Sequence, residues 1–146
     1  MSAVSGSSTV AAEREHLWEV LSDPARLGAA LPGVDDVSVE DSAHFSAVAR
    51  PATALGETRL QMDFEIVEER RGEYVRIAGS GLAGENRIEL DVELSLEDAA
   101  GGGTAARWRG EVTLRGVLGS LLQRGIGAIF NEQVEAVLAA GASGGS

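Results

Sequence analysis

Cysteine is absent from the 146 residues, which excludes disulfides and thiolate chemistry. Histidine is nearly absent. His16 and His44 stand far apart, with no partner histidine at metal-ligand spacing, so both are read as ordinary surface or hydrogen-bonded residues. Positive charge is also in short supply: 12 basic residues face 23 acidic ones, for a formal net charge of −11. That excludes a nucleic-acid partner, whose phosphates need a positive surface. It also argues against simple electrostatic docking on an anionic leaflet. The plain reading of the acidic surface is that it keeps a greasy-cored protein soluble. No apolar run approaches the roughly 20 residues of a membrane-spanning helix. The opening MSAVSGSSTV lacks the basic start and greasy middle of a secretion signal, so a cytoplasmic location is expected.

What the chain has is a greasy stripe near its end. In Val117 to Ala140, apolar residues fall at Leu118, Leu121, Leu122, Ile126, Ile129, Phe130, Val134, Val137 and Leu138. Gaps of three and four put them on one face of an α-helix. At 1.5 Å per residue such a helix spans roughly 30 Å, the width of a small domain. Gly119, Gly125 and Gly127 sit in its first half, each costing about 1 kcal/mol against alanine. Either they leave space beside the helix, or they allow close packing in a filled core.

Upstream, Ala3 to Ala11 reads as a first strand and Glu13 to Leu21 as a helix with Leu17, Trp18 and Leu21 on one face. Asp23-Pro24 breaks it, and Pro24 starts a second short helix through Leu27 and Ala30. Leu31-Pro32-Gly33 ends that one, because Pro32 pushes Leu31 out of helical space.

From Val34 the period changes to two. Strands are predicted at Val34 to Val39 (with Val37 and Val39 alternating), Phe45 to Arg50, Thr58 to Val67, Tyr74 to Ala78, Arg87 to Glu97 and Thr104 to Arg115. Leu60, Met62, Phe64 and Ile66 share one face of their strand, with Gln61 on the other. Ile88, Leu90, Val92, Leu94 and Leu96 oppose Glu89, Asp91, Glu93 and Glu97. Arg71-Gly72-Glu73 is a turn, and Gly79 to Gly84 is expected to be a flexible piece. Consecutive strands with one greasy and one charged face make an antiparallel sheet wet on one side. The C-terminal helix is the only long element left to cover it. One domain over 1–140 is expected, with 141–146 (GASGGS) a flexible tail.

Motifs that carry chemistry are scarce. No serine elbow or triad pattern occurs. GSGLAG at Gly79 to Gly84 superficially fits a dinucleotide fingerprint, but a charged alternating strand follows it, not the required helix. Glu89, Asp91 and Glu93 on one strand, and Arg107, Arg109 and Arg115 on the next, are explained by cross-strand pairing.

The element order resembles the helix-grip fold of the START/Bet v 1-like (SRPBCC) superfamily. That fold is α+β, a curved seven-stranded antiparallel sheet wrapped around a long C-terminal helix, with two short helices after strand 1. Within it, the chain resembles the CoxG family of carbon monoxide dehydrogenase accessory proteins. The resemblance rests on Leu17-Trp18, Asp23-Pro24, the Leu31-Pro32-Gly33 corner, the glycine-rich Gly79 to Gly84, and the strand bearing Thr104, Trp108, Val112 and Gly116. It covers roughly Val10 to Leu138. The piece Arg50 to Glu57 departs from the family's usual segment.

The resemblance implies an accessory, non-enzymatic role beside a molybdenum hydroxylase-type carbon monoxide dehydrogenase. It implies an apolar cavity holding a menaquinone-like or other prenyl-quinone, with no covalent cofactor and no metal. Transient attachment to the inner face of the cytoplasmic membrane is implied too. The expected lining is Leu60, Met62, Phe64, Ile77, Leu90, Trp108, Val112, Leu122, Ile126 and Phe130, although Trp108 reads equally well as plain core. The expected entrance is Leu31, Pro32, Gly33, Gly81, Leu82 and Leu118, where Leu118, Leu121 and Leu82 would dip into lipid. Gln123, Asn131 and Ser80 are candidates for touching a ring carbonyl. Burying several hundred Å² of isoprenoid tail gains on the order of 10 kcal/mol at about 25 cal/mol per Å². A bilayer offers nearly the same gain, so exchange is close to balanced, as a shuttle requires. Two other readings stay open: a polyketide aromatase/cyclase of the same superfamily, and a ligand-free docking subunit.

Overall fold

The computed structural model describes residues 2–50, 52–53, 56–57, 59–116 and 125–144. Strand β1 (Ser2–Val10) leads into helix α1 (Arg14–Leu21) and helix α2 (Pro24–Ala30). The second helix starts where the sequence demands. Asp23 accepts the Ala25 amide hydrogen bond at 3.0 Å, and Pro24 occupies a first-turn position whose N–H would have no partner anyway. Leu31 then turns to extended geometry (ψ 120°) ahead of Pro32.

Two strands follow, β2 (Val34–Val39) and β3 (His44–Ala49). Next comes a separate small hairpin, β4 (Ala52–Thr53) with β5 (Gly56–Glu57), in the piece that departs from the family pattern. The remaining strands are β6 (Leu60–Arg70), β7 (Tyr74–Ala83), β8 (Asn86–Asp98) and β9 (Thr104–Arg115). The main sheet has seven strands in the order β1-β9-β8-β7-β6-β3-β2, and every neighbouring pair is antiparallel. Helix α3 (Ile126–Gly144) closes the chain. This is the α+β helix-grip architecture of the START/Bet v 1-like proteins.

Period-two reading gives the faces correctly. Leu60, Met62 and Ile66 are buried, while Gln61, Asp63 and Glu65 are exposed. Three details differ from the sequence expectation. Residues 79–83 are not a flexible piece. They continue β7, paired with Phe64 to Gln61 on one side and Leu90 to Asn86 on the other; the turn is at 84–85, with Gly84 at φ 62°. In β2, a bulge at Asp36 (φ 52°) shifts the register between Asp35 and Ser38. It turns Val34 and Val37 inward and leaves Val39 46% exposed. The last helix continues to Gly144, so residues 141–144 are not tail. Gly141 is buried because α1 crosses there: a Cβ on it would lie 2.8 Å from Leu17 Cδ2. The expected helical start at 117–124 lies outside the described residues.

Candidate functional site: an apolar cavity beneath the last helix

The inner face of the sheet and α3 do not meet everywhere. At one end, Leu17, Trp18, Leu21, Val75, Leu96, Trp108 and Leu138 form a continuous core. At the other end the buried side chains split into two small groups. Leu60 and Met62 belong to one; Val4, Val112 and Ile126 belong to the other. Between them lies a cavity of about 400 Å³, within the range of small-molecule sites.

Strand β7 explains part of the space. Gly79 and Gly81 point inward, and a Cβ on Gly79 would lie 2.9 Å from Phe64 Cδ1. A Cβ on Gly81 would collide with the Met62 sulfur. Phe64 and Met62 therefore lean over the glycines instead of standing up toward α3. Phe64 also stacks on Phe45, with centroids 4.8 Å apart and rings 19° from parallel.

Of the expected lining residues, Leu60, Met62, Phe64, Ile77, Leu90, Val112, Ile126 and Phe130 border this cavity. Leu122 lies outside the described residues. Trp108 is a correction. It is not on the wall, because its indole covers Gly6, where a Cβ would lie 2.5 Å from Cζ2. Its Nε1 donates to Asn131 Oδ1 at 2.9 Å, so Asn131 is committed to the core and not to a ligand.

The corner Leu31, Pro32 and Gly33 borders the cavity as expected. Leu82 and Gly81 are corrections to the expected entrance. Leu82 sits opposite Gln61 and Arg87 in register, on the outer face, and is 50% exposed there. Gly81 is a buried strand residue packed under Met62 and Ile88. Ser80 is likewise on the outer face. Leu118, Leu121 and Gln123 lie outside the described residues.

The sequence reading missed the rim. Arg50, Glu132 and Gln133 border the cavity, and every other residue around it is apolar or glycine. These three gather at one corner. The Arg50 amide donates to the Gly33 carbonyl at 2.9 Å, and Gln133 Nε2 donates to the Pro32 carbonyl at 2.9 Å. Arg50 Nε is held by Asp35 at 2.8 Å. Ile129, 40% exposed, stands on the same lip. Nothing in helical or strand periodicity singles out Arg50 or Gln133, since their role comes from the chain corner that meets them.

Ionisable groups with displaced titration lie on the outer face, away from the cavity. Arg76 clasps Asp91 through Nε at 2.9 Å and a second nitrogen at 2.6 Å. That hydrogen bonding holds the Asp91 carboxyl below the usual range. Glu93 is lowered chiefly by the Tyr74 hydroxyl donating to it at 2.7 Å, with help from Arg109. His44 is raised by its hydrogen bond with Asp41 at 2.8 Å. Among the described residues no group of three His, Cys, Asp or Glu is arranged to hold a metal, and no helix is long and apolar enough to cross a membrane.

The sequence pattern of the carbon monoxide dehydrogenase protein CoxG matches residues 6–140. The chain belongs to the CoxG family. No curated protein sequence matches it. Solved structures share the fold. One is a conserved protein from Geobacillus kaustophilus, with TM-score 0.84 and 14% identity over 97% of this chain and 93% of that one. Another is a protein from Rhizobium loti, with TM-score 0.69 and 13% identity over 95% and 96%. A third is the di-domain aromatase/cyclase BexL from the BE-7585A biosynthetic pathway, with TM-score 0.64 and 12% identity over 97% of this chain and 49% of that one. At such identities the likeness speaks for the fold, and the family's name associates this CoxG chain with carbon monoxide dehydrogenase.

Proposed function

We propose that this CoxG chain is a non-enzymatic carrier that binds a prenyl-quinone such as menaquinone in the cavity. It takes the quinone from the cytoplasmic membrane to a molybdenum carbon monoxide dehydrogenase, and helps recruit that enzyme to the membrane surface. The observation behind this reading is the apolar cavity of about 400 Å³ between sheet and helix. Its wall offers contact area and very few hydrogen bonds, which suits an isoprenoid chain. Ionisable groups on the wall are limited to Arg50 and Glu132 among the described residues, a poor set for general acid/base work.

The aromatase/cyclase reading has the BexL likeness in its favour. Organic extraction and mass spectrometry of protein purified from its own host separate the readings. A co-purifying prenyl-quinone is the expected result. Turnover of an aromatic polyketide with no retained quinone would replace the carrier with an enzyme. An empty protein that still captures the dehydrogenase would leave only docking.

A further inference from the structure

The cavity is polar at one corner only, and this has consequences for how a ligand sits. The registers fix the direction. Ala49 pairs with Leu60, and Met62 with Gly81, which in turn pairs with Ile88. That end of the sheet lies beside Arg50 and the 32–33 corner. Val75 pairs with Leu94 at the other end, and both border the cavity floor. From Ile88 to Leu94 is roughly 20 Å of strand, at about 3.3 Å per residue.

A polar group carried to the Val75 and Leu94 end would meet only hydrocarbon and lose its hydrogen bonds to water. Left at the rim, it meets Gln133, the Pro32 carbonyl and water. A hydrocarbon chain has the opposite preference. Charge narrows the choice further. Around the rim, the acids Asp35, Asp36 and Glu132 outnumber the arginines paired with them: Arg50 contacts Asp35 and Asp36, and Arg59 contacts Asp36. An anionic head is disfavoured beside that surplus, on a chain of net charge −11.

We propose that the cavity takes a neutral single-chain amphiphile chain-first, with the hydrocarbon running from the rim toward Val75 and Leu94 and the polar head held at the corner of Pro32, Gly33, Arg50 and Gln133. The proposal rests on reading the cavity as a ligand site. It adds an orientation and a head-group preference that a quinone carrier does not require. For a prenyl-quinone, the ring stays at the surface, within reach of a partner.

The test uses the full chain and spin-labelled methyl stearate, with the nitroxide near the ester or at the methyl end. Both labels are expected to be immobilised on binding. A water-soluble nickel chelate should broaden the methyl-end signal several-fold less than the ester-end signal. The reverse order, equal accessibility, or no binding of either ester overturns the proposal. Ionised stearate is expected to bind more weakly than its ester by about fivefold, the size of one like-charge contact near water. Glu132→Gln should narrow that gap. Equal affinity for acid and ester overturns the head-group preference. A short-chain menaquinone is titrated in parallel. If the esters bind chain-first and the menaquinone does not bind, the quinone reading fails and the orientation stands.

Discussion

Leu138 and Met62 are almost equally buried, at 2% and 4% exposed, yet their surroundings differ. Leu138 belongs to the continuous core that joins α1, α3 and the sheet. Met62 shares a small cluster with Leu60 and borders open space. The same sheet and the same helix thus make a solid half and a hollow half. Burial from water does not tell them apart; the number of packed neighbours does. The largest test of that contrast is a pair of truncations. Leu138→Ala should cost about 3–4 kcal/mol in urea unfolding, because it leaves a new void in a filled region. Met62→Ala should cost about 2 kcal/mol, since part of its surface already faces the cavity. Equal losses would mean that the two halves are packed alike.

The boundary between the halves is set by Asn131. It accepts from Trp108 and donates from Nδ2 to the Ser5 carbonyl at 3.3 Å, tying the helix to β9 and β1 at once. Asn131→Leu would leave the buried indole N–H without its partner. A loss of about 1–3 kcal/mol is expected, read by the urea midpoint and by a blue-shifted Trp emission. Retained stability would show that Trp108 is held by packing alone.

The sequence announced the sheet faces well, because burial on one side imposes period two on every strand. It announced the helix because greasy residues return every three or four positions. Most of the cavity wall followed from those two rules. The failures have local causes. Glycines 79 and 81 suggested a flexible piece, since glycine is a turn residue in isolation. In place they are strand residues whose missing side chains make room for Met62 and Phe64. Trp108 has the inward parity of a wall residue, but parity cannot say whether an inward side chain meets space or Gly6. Arg50 and Gln133 gain their positions from a corner that no periodic pattern describes.

Two glycines of α3 carry the contrast to a smaller scale. Gly141 lies in the solid half, where a Cβ would sit 2.8 Å from Leu17 Cδ2 and 3.1 Å from Leu17 Cα. Gly141→Ala should lose about 1–2 kcal/mol, overpacking outweighing the gain in helix propensity. Gly127 lies at the hollow half, where a Cβ would have nothing within 4 Å. Gly127→Ala should gain about 0.5 kcal/mol, propensity alone. Thermal melts of the two variants should move in opposite directions. A shift of both in the same direction would remove the distinction on the helix side.

The smallest effect concerns the outer face. Where the inner face lacks packing, cross-strand pairs outside carry a larger share of the hold between β7 and β8. Arg76 and Asp91 flank the strand backbone that carries Ile77 and Val92, both on the cavity wall. Because Asp91 titrates below its ordinary value in the folded chain, its contribution is complete above the unfolded value, near pH 4. It is lost as pH falls through the lower folded value. Arg76→Met removes the hydrogen bonds that cause the displacement. Its urea midpoint should therefore lie slightly below that of the parent at pH 7 and converge on it by about pH 2–3. Added salt should shrink the gap at neutral pH, as expected of partly exposed charges. Parallel pH curves would mean that the clasp does nothing for the hollow half, and that its sheet is held by backbone ladders alone.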